Sequence, residues 1–170
     1  MDTKQDGFKS QKLIVLPENI RQECSKNIYS KDIYVTDIGF FPNAKFHYIN
    51  RKNGVNSYIL IYCTSGEGYF SLSDSKEQIL KKGSLIIIPP NTPHYYGSSL
   101  DDPWSIYWLH IQGENTVGNL RELANLLELR IDISAKFIEL FNEIYDLLEN
   151  GYHNNNLEYV SKILEHLLGS

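Results

Sequence analysis

GSLIIIPPNTPHYYG, residues 83–97, is the stretch whose reading decides the fold. A glycine opens it, the mostly β-branched run Leu85–Ile88 follows, and Pro89 and Pro90 close that run. A run this short, apolar and bounded by breakers reads as a buried strand rather than a helix. Neither proline can donate to a sheet ladder, so the strand ends there. The turn through Pro93 then presents a lone histidine, His94, beside Tyr95 and Tyr96.

Outward from this stretch, as far as about residue 113, the texture is the same. Short β-rich runs, YILIYCT (58–64), GYFSL (68–72), EQIL (77–80), SLIII (84–88) and WSIYWLHI (104–111), alternate with Gly, Ser, Asp and Pro punctuation. DIYVTDIGF and KFHYINR add an earlier pair. Closely spaced short strands with such turns predict an antiparallel sandwich or barrel. Beyond residue 113 the period changes to that of helices. Val117, Leu120, Leu123, Ala124 and Leu127 mark a first helix over 116–128. Ser134 is read as the cap of a second, which carries Phe137, Ile138, Phe141, Ile144, Tyr145 and Leu148 and ends at Asn150-Gly151. A third, about 156–168, lines up Val160, Ile163, Leu164, Leu167 and Leu168. The fold class expected is therefore mainly β with an α appendage: an antiparallel β-barrel followed by about three C-terminal helices.

Composition bounds the function. With 42% hydrophobic and 22% charged residues over 170 positions, the chain is an ordinary globular domain. No apolar run reaches the roughly 20 residues of a membrane helix, and the polar N-terminus lacks a signal-peptide core, so residence in the cytoplasm is expected. Residues 1–113 hold 12 Lys or Arg against 11 Asp or Glu, whereas residues 114–170 hold 4 against 10. An acidic C-terminal half has the wrong sign for a nucleic-acid surface. The last two helices do not make a DNA-reading helix-turn-helix either: GYHNNN is long for the turn, and the last helix offers one lysine. Cys24 and Cys63 lack metal-ligand spacing and are read as reduced thiols, Cys63 packed in a strand.

The Gly83…Pro89…His94 spacing resembles the second conserved motif of the cupin β-barrel, with Asn91 where cupins usually carry glycine. That resemblance implies a jelly-roll type barrel. Metal-binding cupins also need a first motif with two histidines and a glutamate. The corresponding segment, INRKNGVNSYILIYCTSGEG, contains no histidine and no glutamate before Gly66, and Ile59 stands about where the glutamate belongs. One imidazole, His94, is not a metal site. Neither a metal, nor a cofactor, nor a catalytic residue is therefore expected.

A more extensive resemblance covers residues 30 to 168. VTDIGFFPNAKFHYINRKNGVNSYILIYCTSGEGYF and KKGSLIIIPPNTPHYYGSSLDDPWSIYWLHIQG look like the N-terminal effector-binding and dimerisation domain of AraC-family transcription regulators. The marks are Arg51 at a strand end, Tyr-Ile-Leu then Gly66-x-Gly68, the Pro89-Pro90…His94-x-Tyr96 loop, and the Trp108 strand closing at Gly113. The resemblance implies a sensor that binds a small effector, most plausibly a sugar, inside the barrel. It also implies a homodimer, and DNA contact only through a C-terminal domain absent from these 170 residues. Domains are expected as a flexible arm over 1–16, a barrel over 17–113 and a helical dimerisation unit over 114–170. Nothing in the arm's sequence marks an anchor.

Carried over by motif, the effector contacts fall at Arg51, Tyr96 and Trp108. A guanidinium offers a rigid fork of donors, and an indole face packs against the C–H face of a sugar ring. Period-two alternation adds Ile106 and His110 on the Trp108 face and His47 and Ile49 on the Arg51 face. Ile106 takes the place of a sugar-binding histidine of the arabinose sensor, which points to a different ligand or fewer polar contacts. His94 is either a loop-fixing hydrogen-bonding group or a ligand contact. Tyr159, Val160, Ile163 and Leu167 are the expected dimer contacts. Two competing readings remain open at this point: a metal-dependent cupin isomerase or dioxygenase, and a dimerisation module whose barrel is filled by its own aromatic side chains.

Overall fold

The computed structural model describes residues 2–116, 120, 127–128 and 131–169. Its strands are β1 (Lys12–Val15), β2 (Tyr34–Phe41), β3 (Tyr48–Arg51), β4 (Tyr58–Ser65), β5 (Glu67–Leu72), β6 (Gln78–Lys81), β7 (Ser84–Ile88), β8 (His94–Ser98), β9 (Ser105–Gln112) and β10 (Leu127–Glu128). The helices are α1 (Glu18–Lys26), α2 (Ile131–Glu149) and α3 (Asn154–Gly169). Two antiparallel sheets face each other, one in the order β1-β2-β9-β4-β7-β10 and the other β3-β8-β5-β6. Mainly β with C-terminal helices, the architecture is the cupin-like barrel that the turn residues led us to expect.

The larger sheet is covered on both faces, which explains its sequence. In β4, Ile59, Ile61 and Cys63 point into the barrel with Ile86, Ile88, Phe70 and Ile106. Tyr58, Leu60 and Tyr62 point outward into a second cluster with Phe137, Phe141, Val160 and Leu164. A strand buried on both faces needs apolar residues throughout, so Tyr58–Cys63 lacks alternation. Each fully buried Ile or Leu contributes roughly 1.5–3 kcal/mol by leaving water. The smaller sheet has one wet face, where Tyr48, Tyr69 and Tyr95 lie with ring centroids 6.2–6.5 Å apart. Ser161 ties α3 to the barrel, its Oγ donating to the Ile33 carbonyl at 2.6 Å in a buried position.

Two glycines admit tryptophans. A Cβ on Gly39 would lie 2.4 Å from Trp108 Cζ2, and one on Gly68 would lie 2.1 Å from Trp104 Cε3. The indoles therefore lie flat across neighbouring strands, which no other residue at those positions permits.

Several boundaries differ from the sequence reading. Helix α2 begins at Ile131, so Ser134 lies inside it rather than capping it. Of the expected helix over 116–128, Val117, Leu123 and Ala124 lie outside the described residues, Leu120 is buried, and Leu127 belongs to β10, paired with Leu85. β1, β8 and α1 are additional elements. In β8 the histidine and tyrosines of the proline loop already pair with β3 and β5. In α1 only Cys24 is buried, so no apolar stripe announces the helix.

Both thiols are free and buried, and burial pushes each up to about 11, so they stay protonated.

Residues 2–16 lie against the barrel. Lys4 N–H donates to the Phe46 carbonyl at 2.9 Å, and Tyr48 N–H donates to the Lys4 carbonyl at 3.1 Å. Phe8 is buried against Phe41 and His47, at centroid distances of 5.1 and 5.4 Å, and β1 adds an edge strand to β2.

Candidate ligand-binding site

One end of the barrel is filled and the other is not. Trp104, Ile106, Cys63, Phe70 and Leu80 close the filled end, Trp104 and Leu80 having no solvent exposure at all. The other end keeps a cavity of about 220 Å³. On the smaller sheet its wall is Ile49 and Arg51 from β3 and Tyr96 from β8, with His47 just before β3. On the larger sheet it is Asp37 and Phe41 from β2 and Trp108 and His110 from β9. Leu13 and Val15 of β1 border it, and Gln5 and Asp6 of the N-terminal segment lie at its mouth.

Register explains the larger-sheet wall. Val15, Asp37, His110 and Ile59 form one cross-strand row, and Leu13, Gly39, Trp108 and Ile61 the next. A bulge between Val35 and Asp37 turns the chain by one residue, so Val35 packs outward while Asp37 points inward.

Arg51 anchors the polar network. Its Nη1 donates to Tyr96 Oη at 3.2 Å and to His94 Nε2 at 3.0 Å. His94 Nδ1 lies 2.8 Å from the Thr92 carbonyl. A guanidinium can only donate and a carbonyl can only accept, so His94 carries its proton on Nδ1 and is neutral. Burial, with Arg51 contributing, holds its pKa below the usual value. His47 accepts the Trp104 indole N–H on Nδ1 at 3.2 Å, and burial next to Arg51 pushes it down to about 3. Burial also lowers His110, against the opposing pull of Asp37, whose Oδ1 is 3.7 Å from its Nδ1. The Tyr96 hydroxyl is pushed up by burial and stays a phenol.

Six of the eight expected ligand positions, His47, Ile49, Arg51, Tyr96, Trp108 and His110, border this one cavity. Ile106 does not. It shares the inward face with Trp108 but lies one row towards the filled end, paired with Phe41 and Cys63. His94 stands behind Arg51 rather than on the cavity wall. Of the dimer residues, Val160, Ile163 and Leu167 are buried in this chain's own core, and Tyr159 is 53% exposed.

Residues 41–167 match the family described as AraC-like ligand binding domain. The chain belongs to that family. Among relatives of this AraC-like domain, the MmsAB operon regulatory protein of Pseudomonas aeruginosa is 27% identical over 103 residues, 59% of this chain and 33% of its own length. The raffinose operon transcriptional regulatory protein RafR of Pediococcus pentosaceus is 29% identical over 87 residues, 51% of this chain and 30% of its own length. The AraC-like chain thus spans about a third of these regulators. Among solved structures, the YhaK protein of Escherichia coli aligns with a TM-score of 0.49 at 14% identity, covering 73% of this chain and 53% of that one. A cupin-like protein of Thermotoga maritima aligns with a TM-score of 0.39 at 22% identity, over 70% and 74%.

Around the cavity of this AraC-like domain lie residues that the sequence reading did not single out. Asp37 is a lone acid inside an apolar run, a signal visible in VTDIGFF, but the bulge that turns it inward is not. Trp104 fixes His47 from behind. Leu13, Val15, Gln5 and Asp6 reach the site only because β1 and the N-terminal segment return across the barrel. Among the described residues no three His, Cys, Asp or Glu side chains gather as metal ligands. The cavity wall thus offers donors on Arg51, an acceptor on Asp37 and the aromatic rings of Tyr96 and Trp108.

Proposed function

We propose that this AraC-like domain is the effector sensor of a transcription regulator. It binds a compact polar molecule, a sugar of monosaccharide size, between Arg51, Tyr96 and Trp108. The observation that carries the reading is the convergence of six of the eight expected residues, from in and just before β3, from β8 and from β9, on one cavity of about 220 Å³. A cavity of this size, with donors, an acceptor and aromatic rings on its wall, suits a compact polar ligand. Arg51 keeps Nη2 and Nε without a protein partner among the described residues, ready for ligand oxygens. Binding is non-enzymatic in this reading. It acts on a DNA-binding domain elsewhere in the regulator, in the cytoplasm, by favouring one arrangement of the N-terminal segment over another. Helix α3 joins two subunits around Tyr159.

The test is a broad panel of monosaccharides, neutral and charged, scored by melting temperature and tryptophan fluorescence. At least one sugar should stabilise the wild type, and Arg51→Ala should lose that stabilisation while keeping its own ligand-free melting temperature within a few degrees. If no sugar shifts either signal, the carbohydrate reading fails.

A further inference from the structure

The cavity is charged unevenly from wall to wall. The smaller sheet contributes one guanidinium, Arg51, the facing sheet contributes one carboxylate, Asp37 of β2, and the N-terminal segment, which bridges to His47 through Lys4, brings a second carboxylate, Asp6, to the mouth. Arg51 is already committed through Nη1 to His94 and Tyr96. Asp37 has no such commitment. Among the described residues its carboxylate accepts no hydrogen bond, and its nearest charge-capable neighbour, His110 Nδ1, is 3.7 Å away, beyond hydrogen-bonding reach. Burial keeps His110, His47 and His94 in their neutral forms near pH 7, so none of them neutralises a carboxylate.

A partly buried carboxylate without a donor is costly, and a ligand that supplies a charged donor recovers that cost. A neutral sugar offers Asp37 only hydroxyls. A protonated amine offers a full charge, and Arg51, on the facing sheet, then serves the hydroxyl or carbonyl oxygens at the ligand's other end.

We infer that the effector carries a protonated amine as well as hydroxyls, an amino sugar in chemical class, with the amine placed between Asp37 and Asp6 and the oxygens towards Arg51. This rests on the carbohydrate reading above and narrows it. It also makes Asp6 a selectivity residue carried by the N-terminal segment, so closure of that segment depends on the ligand's charge.

Isothermal titration of the 170-residue chain at about pH 6.5, where carboxylates are ionised, tests it. The probes are D-glucose, D-glucosamine and D-glucuronate, with the corresponding galactose series. The amino sugar of at least one series should bind about tenfold or more tighter than its neutral parent, the size of one charge-assisted contact. The uronate should bind weakest. Asp37→Asn should reduce the amine-to-neutral ratio towards one. Asp6→Asn, at an exposed position outside the barrel core, should do the same without endangering the fold. A neutral sugar that binds as tightly as its amino partner, or a uronate that binds tightest, overturns the inference while leaving the carbohydrate reading standing. Absence of binding by all six sugars removes both.

Discussion

Phe8→Ala separates the N-terminal segment from the barrel it covers. Phe8 is 6% exposed, packs on Phe41 and His47, and has the Lys4 ammonium 4.6 Å from its ring centroid. Burying a phenylalanine side chain contributes about 1.5–3 kcal/mol, and alanine keeps only a methyl's share. The cation–π contact adds roughly 0.5–1 kcal/mol. A net loss of about 2 kcal/mol follows. This is less than the 3–5 kcal/mol typical of Phe→Ala in a closed core, because the segment can lift away instead of enclosing a void. At about 1.4 kcal/mol per decade, the open segment becomes roughly thirtyfold more populated. Hydrogen exchange reads this directly at two amides. Lys4 N–H, bonded to the Phe46 carbonyl, and Tyr48 N–H, bonded to the Lys4 carbonyl, should exchange about thirtyfold faster, or reach the unprotected rate. Amides of Ile61 and Leu109, deep in β4 and β9, should be unchanged. If all four accelerate together and the melting temperature drops, Phe8 is part of the global core and the segment is no separate unit. If none accelerates, Phe8 does not hold the segment at all.

Acid should destabilise the domain through its buried histidines. A histidine whose folded pKa lies below its unfolded value of about 6.5 binds fewer protons folded than unfolded. Its stabilising contribution is complete above that value and is lost as pH falls, for His47 over a window reaching down to about 3. Unfolding free energies from urea titrations at about pH 7.5, 6 and 5 should fall with pH, for His47 by on the order of 1 kcal/mol per pH unit below about 6. His47→Gln, which keeps an acceptor for the Trp104 indole, should flatten the slope, and a midpoint constant over this range would contradict the assignment. For the subunit contact, light scattering at tens of micromolar should give a dimer mass that Tyr159→Asp converts to monomer. A monomeric wild type refutes an interface on α3, since Val160, Ile163 and Leu167 are already consumed by the chain's own core.

The readability of this chain depended on whether the deciding contact was local. Strands β4, β5, β6, β7 and β9 carry their own signature, apolar runs cut by Gly, Pro and Ser-Asp turns, so they emerged close to their true bounds. Helix α1 carries none, because its nine residues bury only Cys24. The KLIV strand β1 is four residues long, and only pairing with β2 gives it a fold. The site followed the same rule. Alternation correctly brought His47, Ile49 and Arg51 to one face and Trp108 and His110 to another. It could not say where along the barrel the filling stops, which separates Ile106 from Trp108 although they share a face. Nor could it handle Asp37, since one bulged residue at Thr36 inverts the parity on which alternation depends. Phe8 was hidden for a third reason: one aromatic in a polar segment has no period, and its burial is purely tertiary.

His94 shows how a motif can persist while its chemistry changes. An imidazole becomes a metal ligand by offering a lone pair on one nitrogen while the other donates to an oriented acceptor. Here the orienting half of that arrangement is present, with Nδ1 held by the Thr92 carbonyl. The remaining lone pair, on Nε2, faces Arg51 Nη1 at 3.0 Å. A single lone pair cannot accept from a guanidinium and coordinate a cation together, and the fixed positive charge of Arg51 opposes a second cation beside it. With Ile59 where a carboxylate ligand would stand, the inward face of β4 supplies apolar surface instead of donors. The histidine loop is therefore a mount for Arg51. It engages Nη1 of the guanidinium together with Tyr96, and His94 itself stays off the cavity wall that Arg51 borders.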